Sequence, residues 1–388
     1  MIKTQRLFDI DSKLCEFDAT VVECNECENG CFDLILDKTV FFPNEGGQAC
    51  DTGKINGCCV LSVDEKDGVI IHKVSDAFEV GSAVHGEIDF EVRFRKMQNH
   101  TGEHIISGIV HRLYGYSNVG FHLGDGDVTA DFDGELGEAD IRKIEELANG
   151  VVFACKKVKA YYPSAEQLES MQYRSKLDIT SGVRIVDIDG DDKCACCAPH
   201  VDNTGEIGLI KILDYIRYKG GVRIHIQCGY DALRDYNQRY EQVRYVSMAI
   251  SSKQLEIGEG VERLLQEQGR LKGEISALRR ELLAYKLEKL ECSDASICLF
   301  EDFSDMLAAR NFVNEAVCKT RRVFALFCGN DNEGYKYIMA SQTVDLKANM
   351  ATISAAIGGK GGGSAKMIQG SCNAKQHEIE KFFKEESL

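Results

Sequence analysis

From Tyr236 to Leu290 the chain contains no proline, and Val261, Leu264, Leu271, Ile275, Leu278, Leu282 and Tyr285 recur on a 3-4 spacing broken by Gln268. An apolar stripe of that period is buried only by a helix, and one this long separates the chain before it from the chain after it. The segment 236–292 therefore reads as a helical hairpin or short coiled coil. A single amphipathic helix packed on its own domain gives the same pattern.

The segments on either side have different periods. Residues 1–91 alternate short apolar runs (Val40-Phe41-Phe42, Val60-Leu61-Ser62-Val63, Val69-Ile70-Ile71) with Gly, Asn and Asp turns, the pattern of a small β-barrel or sandwich. Residues 92–235 mix periods. His100 to Tyr114 and the set Ile141, Ile144, Leu147 and Val151 have helical spacing, whereas Arg184 to Ile188, Gly208 to Leu213 and Val222 to Gln227 read as strands. Residues 293–388 alternate apolar strands (Ser296 to Phe300, Val323 to Phe327, Tyr337 to Ala340) with helical stretches and hold the glycine-rich run Gly358 to Gly363, expected to be a loop. The expectation is an α+β multidomain chain with four regions: an N-terminal β-barrel, an α+β domain, a helical hairpin or coiled coil, and a C-terminal α/β glycine-rich domain.

No apolar run has the length of a signal peptide or membrane span, so a cytoplasmic location is expected, with no membrane partner. The 17 cysteines are then better read as reduced thiols, some of them metal ligands, than as a disulfide framework. A net charge of −16 argues against coating nucleic acid by charge alone. A local basic patch would still suffice for RNA.

His100-Thr101-Gly102-Glu103-His104 places two imidazoles four residues apart on one helical face, where both can reach one ion. Downstream, Cys194-Ala195-Cys196-Cys197-Ala198-Pro199-His200 offers a thiolate and an imidazole, Cys196 and His200, in one turn. Zn2+ suits such a mixed nitrogen and sulfur set. With three firm ligands and an open position the site would be catalytic; with four closed ligands it would be structural. Cys194 and Cys197 read as buried thiols or neighbours of the site. His-x-x-Glu-His also matches a metalloprotease pattern with Glu103 as general base, although that reading leaves the Cys-x-x-x-His element unexplained.

Four ordered segments together resemble the editing domain of alanyl-tRNA synthetase and its free-standing AlaX relatives. They are Phe42-Pro43-Asn44-Glu45-Gly46-Gly47-Gln48 with Asp51 and Gly53; Arg95-Lys96-Met97-Gln98-Asn99 leading into His100; Cys196-x-x-x-His200 continuing to Gly208; and Gly220-Gly221-Val222-Arg223-Ile224. Farther on, Gly358 to Gly363 followed by Met367, Ile368, Gln369 and Gly370 resembles the glycine-rich C-terminal domain that alanyl-tRNA synthetases share with DHH-type phosphoesterases. The chain departs from the family where Cys197-Ala198-Pro199 replaces the usual two glycines and threonine, and where Glu103 replaces a smaller residue.

The resemblance implies a hydrolase that removes serine, and by extension glycine, from mischarged tRNA(Ala). In this reading 92–235 is a zinc-containing editing domain, the aminoacylation domain is missing, and His100, His104, Cys196 and His200 hold zinc. The metal then either activates water or orients the substrate. Gln48 would place water or the substrate carbonyl, and Thr39 would recognise the serine hydroxyl, since a site built to bond a hydroxyl rejects the analogue lacking it. Lys360, Lys366, Gly361 and Gly362 would contact tRNA, and the helical or C-terminal segment could form a homodimer. A zinc metalloprotease and a non-catalytic zinc-containing RNA-binding protein are the alternatives.

Overall fold

The computed structural model describes residues 3–27, 30–124, 126, 128–175, 182–301 and 305–385. The chain divides into two compact units, Met1–Arg244 and Tyr245–Leu388.

The first unit begins with β1 (Gln5–Arg6), β2 (Glu16–Glu26), β3 (Phe32–Leu36), β4 (Lys38–Thr39), β5 (Gly53–Ile55), β6 (Cys58–Lys66), β7 (Val69–Val74) and β8 (Ala83–Ile88). β1 and β4 pair in parallel, and the other six close into a barrel in the order β2-β3-β7-β6-β5-β8. Alternation drives the closure: Phe17, Ala19 and Val21 of β2, Leu34 and Leu36 of β3, and Val84 and Ile88 of β8 all point into one core. Val40, Phe41 and Phe42, expected in a strand, are irregular chain with no exposed surface. Their apolarity reflects burial rather than pairing.

The α+β region of this unit comprises α1 (Phe90–Tyr114), β9 (Asn118–Leu123), β10 (Val128–Phe132), α2 (Glu138–Phe153), β11 (Val158–Tyr161), α3 (Ala165–Ser170), β12 (Ile185–Ile188), β13 (Asp192–Ala195), β14 (Ile210–Tyr218), β15 (Gly221–Cys228) and α4 (Gly229–Ala249), the unit boundary falling inside α4. One sheet has the order β14-β15-β10-β9 and a second the order β11-β12-β13, each antiparallel throughout. α2 buries Ile141, Ile144 and Val151 as the spacing predicts, but Ala148 packs inward where Leu147 was expected, and Leu147 is 39% exposed.

α1 carries the histidine pair. The Asp89 side chain accepts the Val92 N–H at its start, and Gly115, at φ 73°, ends it. Between these caps the helix is buried almost all round, so its polar side chains all need partners. Arg93 and Asp51 form an ion pair with essentially no exposure, and Asp51 also accepts the Phe42 N–H at 2.7 Å. Lys96 Nζ donates to Ala49 O at 3.2 Å and Cys50 O at 2.5 Å. Asn99 donates to Asp231 and accepts the Cys228 N–H, both at 2.8 Å. These bonds fasten the helix to the barrel on one side and to β15 and α4 on the other. Gly102 allows the close approach to β15, because a Cβ there would lie 2.3 Å from Cys228 Sγ.

The second unit contains α5 (Ile257–Lys289), β16 (Ile297–Glu301), α6 (Met306–Ala316), β17 (Val323–Asn330), β18 (Gly334–Ser341), α7 (Met350–Ala356), β19 (Gly359–Gly363), β20 (Met367–Cys372) and α8 (Gln376–Glu385). Its sheet has the order β16-β17-β18-β20-β19. The glycine run expected as a loop is therefore an edge strand. Gly361 is required there because a Cβ would meet Gln369 O and the Tyr337 hydroxyl, each at 2.4 Å. In α5 the residues Val261, Leu264, Leu271, Ile275, Leu278, Leu282 and Tyr285 of the 3-4 stripe are 39–63% exposed, whereas Leu283 is buried in a core with Phe312 of α6.

Candidate metal and substrate site

α1 projects His100 and His104 from successive turns, and the chain after β13 brings Cys196 and His200 against them. The potential ligand atoms of all four lie within 4.8 Å of one another. Cys196 Sγ is 3.5 Å from His100 Nε2 and 3.4 Å from His200 Nε2. A tetrahedral zinc with ordinary bond lengths separates its nitrogen and sulfur ligands by about 3.5 Å, so the donor set fits that ion.

Each imidazole turns its other nitrogen to a fixed partner. His100 Nδ1 meets Gln48 Oε1 at 2.8 Å, His200 Nδ1 meets Thr101 Oγ1 at 3.0 Å, and His104 Nδ1 meets Asp192 Oδ2 at 3.1 Å. Asp192 is in turn held by Arg174 through two contacts of 2.7 Å. An amide oxygen and a carboxylate accept from Nδ1, which leaves the Nε2 lone pairs of His100 and His104 facing the sulfur, as metal-ligating histidines require. His104, Asp192 and Cys194 form a second group able to hold an ion, sharing His104 with the first.

The charges agree with this geometry. Burial pushes the Cys196 thiol up, but His100, His200 and His104 together outweigh it and hold the sulfur well below its ordinary range, in the thiolate form that binds metal. Burial lowers His200 to about 3. For His104 burial works downward and is overcome by Asp192 and Cys196, which raise it; an ion bound there would displace a proton. Burial raises Cys194 and Cys197, both of which stay thiols.

The cluster borders a cavity of about 490 Å³, whose wall includes His100, His104, Cys196, Glu103, Phe121 and Arg174. Glu103 lies inside this wall, where Ser107 and Asn118 donate to its Oε1. Gln48 is 2% exposed and sits behind His100, outside the cavity lining; its amide Nε2 is buried with no hydrogen-bond partner among the described residues. Gly47 keeps this arrangement close, since a Cβ there would lie 2.5 Å from Phe121 O. Thr39 is not brought to the cavity. Its hydroxyl lies 2.9 Å from His72 Nε2 and accepts the Phe41 N–H at 3.1 Å within the barrel. Lys360, Gly361, Gly362 and Lys366 are exposed residues of the second unit.

Sequence reasoning missed Arg174 and Asp192 behind His104, and Arg6, Tyr162 and Arg184, which also line the cavity. None lies in a spaced motif, and only folding joins their segments. The sole local signal is the acidic pair Asp191-Asp192 just ahead of Cys194.

Two family models match the chain. The "Threonyl and Alanyl tRNA synthetase second additional domain" covers residues 183–240, which include Cys196 and His200, and "tRNA synthetases class II (A)" covers residues 10–92. Among curated proteins, the chain is 27% identical to the alanyl-tRNA editing protein AlaX-L of Pyrococcus horikoshii, over 97% of this chain and 96% of that protein. It is 31% identical to the alanine–tRNA ligase of Methanococcus vannielii and 27% identical to that of Ignicoccus hospitalis, over 97% of this chain in both cases. It spans only 43% and 42% of those ligases. Along nearly its whole length the chain is similar to the alanyl-tRNA editing protein AlaX-L, and it spans less than half the length of the alanine–tRNA ligases that it matches.

Proposed function

We propose that the protein is a trans-editing hydrolase that cleaves the aminoacyl ester of tRNA(Ala) mischarged with serine or glycine, at a zinc site formed by His100, His104, Cys196 and His200. The observation that carries this reading is the convergence of three imidazoles and one thiolate, with His100, His104 and Cys196 at the wall of a cavity and each imidazole fixed from behind. A zinc ion held there supplies Lewis-acid polarisation of the ester carbonyl or an ionised water.

The remaining roles belong to the protein. Asp192, held by Arg174, and Gln48 fix the tautomers of His104 and His100, and Gln48, behind His100 and outside the cavity lining, is assigned to act through that histidine rather than on water or the substrate carbonyl directly. Glu103 presents a buried carboxylate to the cavity and is assigned to proton transfer. Ser107 and Asn118 hold that carboxylate in place.

Residues 1–91 serve as barrel and residues 92–235 as editing domain in this reading, while 236–292 and 293–388 supply tRNA contact and a homodimer contact. Lys360 and Lys366, with Gly361 and Gly362 on the edge strand, are assigned to phosphates, and the exposed stripe of α5 to a second copy. Among the described residues no helix is long and apolar enough to cross a membrane, in keeping with action on tRNA in the cytoplasm. The test is deacylation of Ser-tRNA(Ala), Gly-tRNA(Ala) and Ala-tRNA(Ala) side by side: the first two should be cleaved and the third spared.

A further inference from the structure

The hairpin that joins β2 to β3 sets two cysteines against each other on the outside of the barrel. The ladder runs Asn25 opposite Asp33 and Glu26 opposite Phe32, and the Cys27 N–H donates to Cys31 O at 2.8 Å, so Cys27 and Cys31 form the next opposed pair. Gly30, at φ 72°, turns the chain just ahead of Cys31. Side chains alternate along a strand, which decides the face. Cys24 and Phe32 pack against the barrel core, and the Cys24 sulfur accepts the Phe78 N–H at 3.3 Å. By that alternation Cys27 and Cys31 both stand on the opposite, outer face, together with Asp33. Both are free, half-buried thiols, and neither lines the cavity beside the metal ligands.

We propose that Cys27 and Cys31 are a redox-active dithiol that closes into a cross-strand disulfide by exchange with a small-molecule disulfide such as oxidised glutathione. Opposed residues of an antiparallel pair have Cα atoms about 4.5–5.5 Å apart, inside the roughly 4.4–6.8 Å that a disulfide spans, so the register already meets the required spacing. In the first step the thiolate of one cysteine attacks a sulfur of glutathione disulfide, which joins one glutathione to the protein and expels the other as thiolate. The second cysteine, as thiolate, then attacks the protein-side sulfur of that mixed disulfide, closes the Cys27–Cys31 bond and expels the second glutathione. Two protein thiols are oxidised, one small disulfide is reduced, and the two thiol protons end on the two glutathiones. Cys24, the third cysteine of the run, takes no part because its sulfur faces the core. Partial burial and the Asp33 carboxylate hold the Cys27 thiol above its ordinary range against the opposing charge of Lys73, so Asp33 slows the step that needs the Cys27 thiolate.

The test equilibrates the full chain with mixtures of oxidised and reduced glutathione, alkylates the thiols left free after denaturation, and locates them by mass spectrometry. With oxidised glutathione in excess, Cys27 and Cys31 should escape alkylation together, with no glutathione retained on either, while Cys24 is alkylated. The melting temperature should rise by about 5 °C over that of the reduced protein, the size expected when a bond closes a short loop. Cys27→Ser and Cys31→Ser should each lose that rise, and Asp33→Asn should close the bond several-fold faster than the wild type. The proposal is overturned if both thiols remain alkylated in that excess, if the bond formed includes Cys24, or if the wild type stops at a glutathione adduct on one of the two cysteines. A rise in melting temperature that persists in Cys27→Ser would also overturn it, by placing the responsible bond elsewhere among the cysteines.

Discussion

Gln48 Oε1 accepts the Nδ1 proton of His100 at 2.8 Å, which joins a residue of the Gly-Gly-Gln segment to the first histidine of the metal cluster. The bond gives Gln48 a hold on the ligand itself, so substitution there should affect more than turnover. Gln48→Ala is expected to weaken zinc affinity about 10- to 100-fold, measured by chelator competition, and to lower kcat. Gln48→Glu keeps an acceptor for His100, so it should retain zinc and most of the turnover. Loss of turnover in Gln48→Glu at full zinc occupancy would contradict a role confined to holding His100.

The Arg174–Asp192–His104 chain predicts a graded series. Burial works to raise the Asp192 carboxyl, but His104 and Arg174 outweigh it and keep it ionised. Asp192→Ala strips both partners of their acceptor and should lower zinc affinity by about 10- to 100-fold, together with thermal stability. Asp192→Asn keeps an acceptor for Nδ1 and should fall between the two. Equal zinc retention in all three proteins would show that His104 needs no support.

His72, at the centre of the barrel, predicts acid sensitivity. Burial lowers it from an ordinary 6.5 to about 4. Between those values the unfolded chain binds the additional proton, so this contribution to stability is complete above pH 6.5 and is lost as the pH falls towards 4. Its size is at most about 3 kcal/mol. Urea denaturation across that range should show a shallower pH dependence in His72→Gln than in the wild type. An identical slope would contradict the assignment.

The proposed metal ligands could be picked out in the sequence because their spacing is local: His100 and His104 share a helical face, Cys196 and His200 share a turn, and the fold brings the two pairs together. The barrel was legible from its short apolar runs between turns, two of which are strands that bury Val60 and Val63, and Val69 and Ile70. Phe41 and Phe42 misled because burial, not pairing, makes that stretch apolar. The glycine run of β19 looked like a loop because composition does not register the edge of a sheet, where Gly361 is demanded by the Tyr337 hydroxyl beneath it. Arg6, Tyr162, Arg174 and Arg184 were invisible as a set, since only the tertiary fold brings their segments to one cavity. Thr39 illustrates the converse, a residue in a suggestive position whose hydroxyl is engaged by His72 and Phe41.

The division into two compact units after Arg244 predicts separable roles. A protein ending at Arg244 keeps every proposed metal ligand and the Asp231 contacts that anchor α1. It should hydrolyse Ser-tRNA(Ala) at high concentration with a raised KM. Its salt dependence should also be shallower, by about 0.7–0.9 in log–log slope for each phosphate contact removed. An unchanged KM and slope would take tRNA contact away from Lys360 and Lys366 and leave self-association as the function of the second unit.

The most direct test of the central claim is the rate of Ser-tRNA(Ala) deacylation by the full chain as purified, after metal removal by a chelator, and after return of one equivalent of zinc, with His104→Ala alongside. The account predicts one zinc per chain, loss of at least about 100-fold in rate on removal, recovery on return, and no recovery in His104→Ala. Full activity in the metal-free protein, or in His104→Ala, would contradict it.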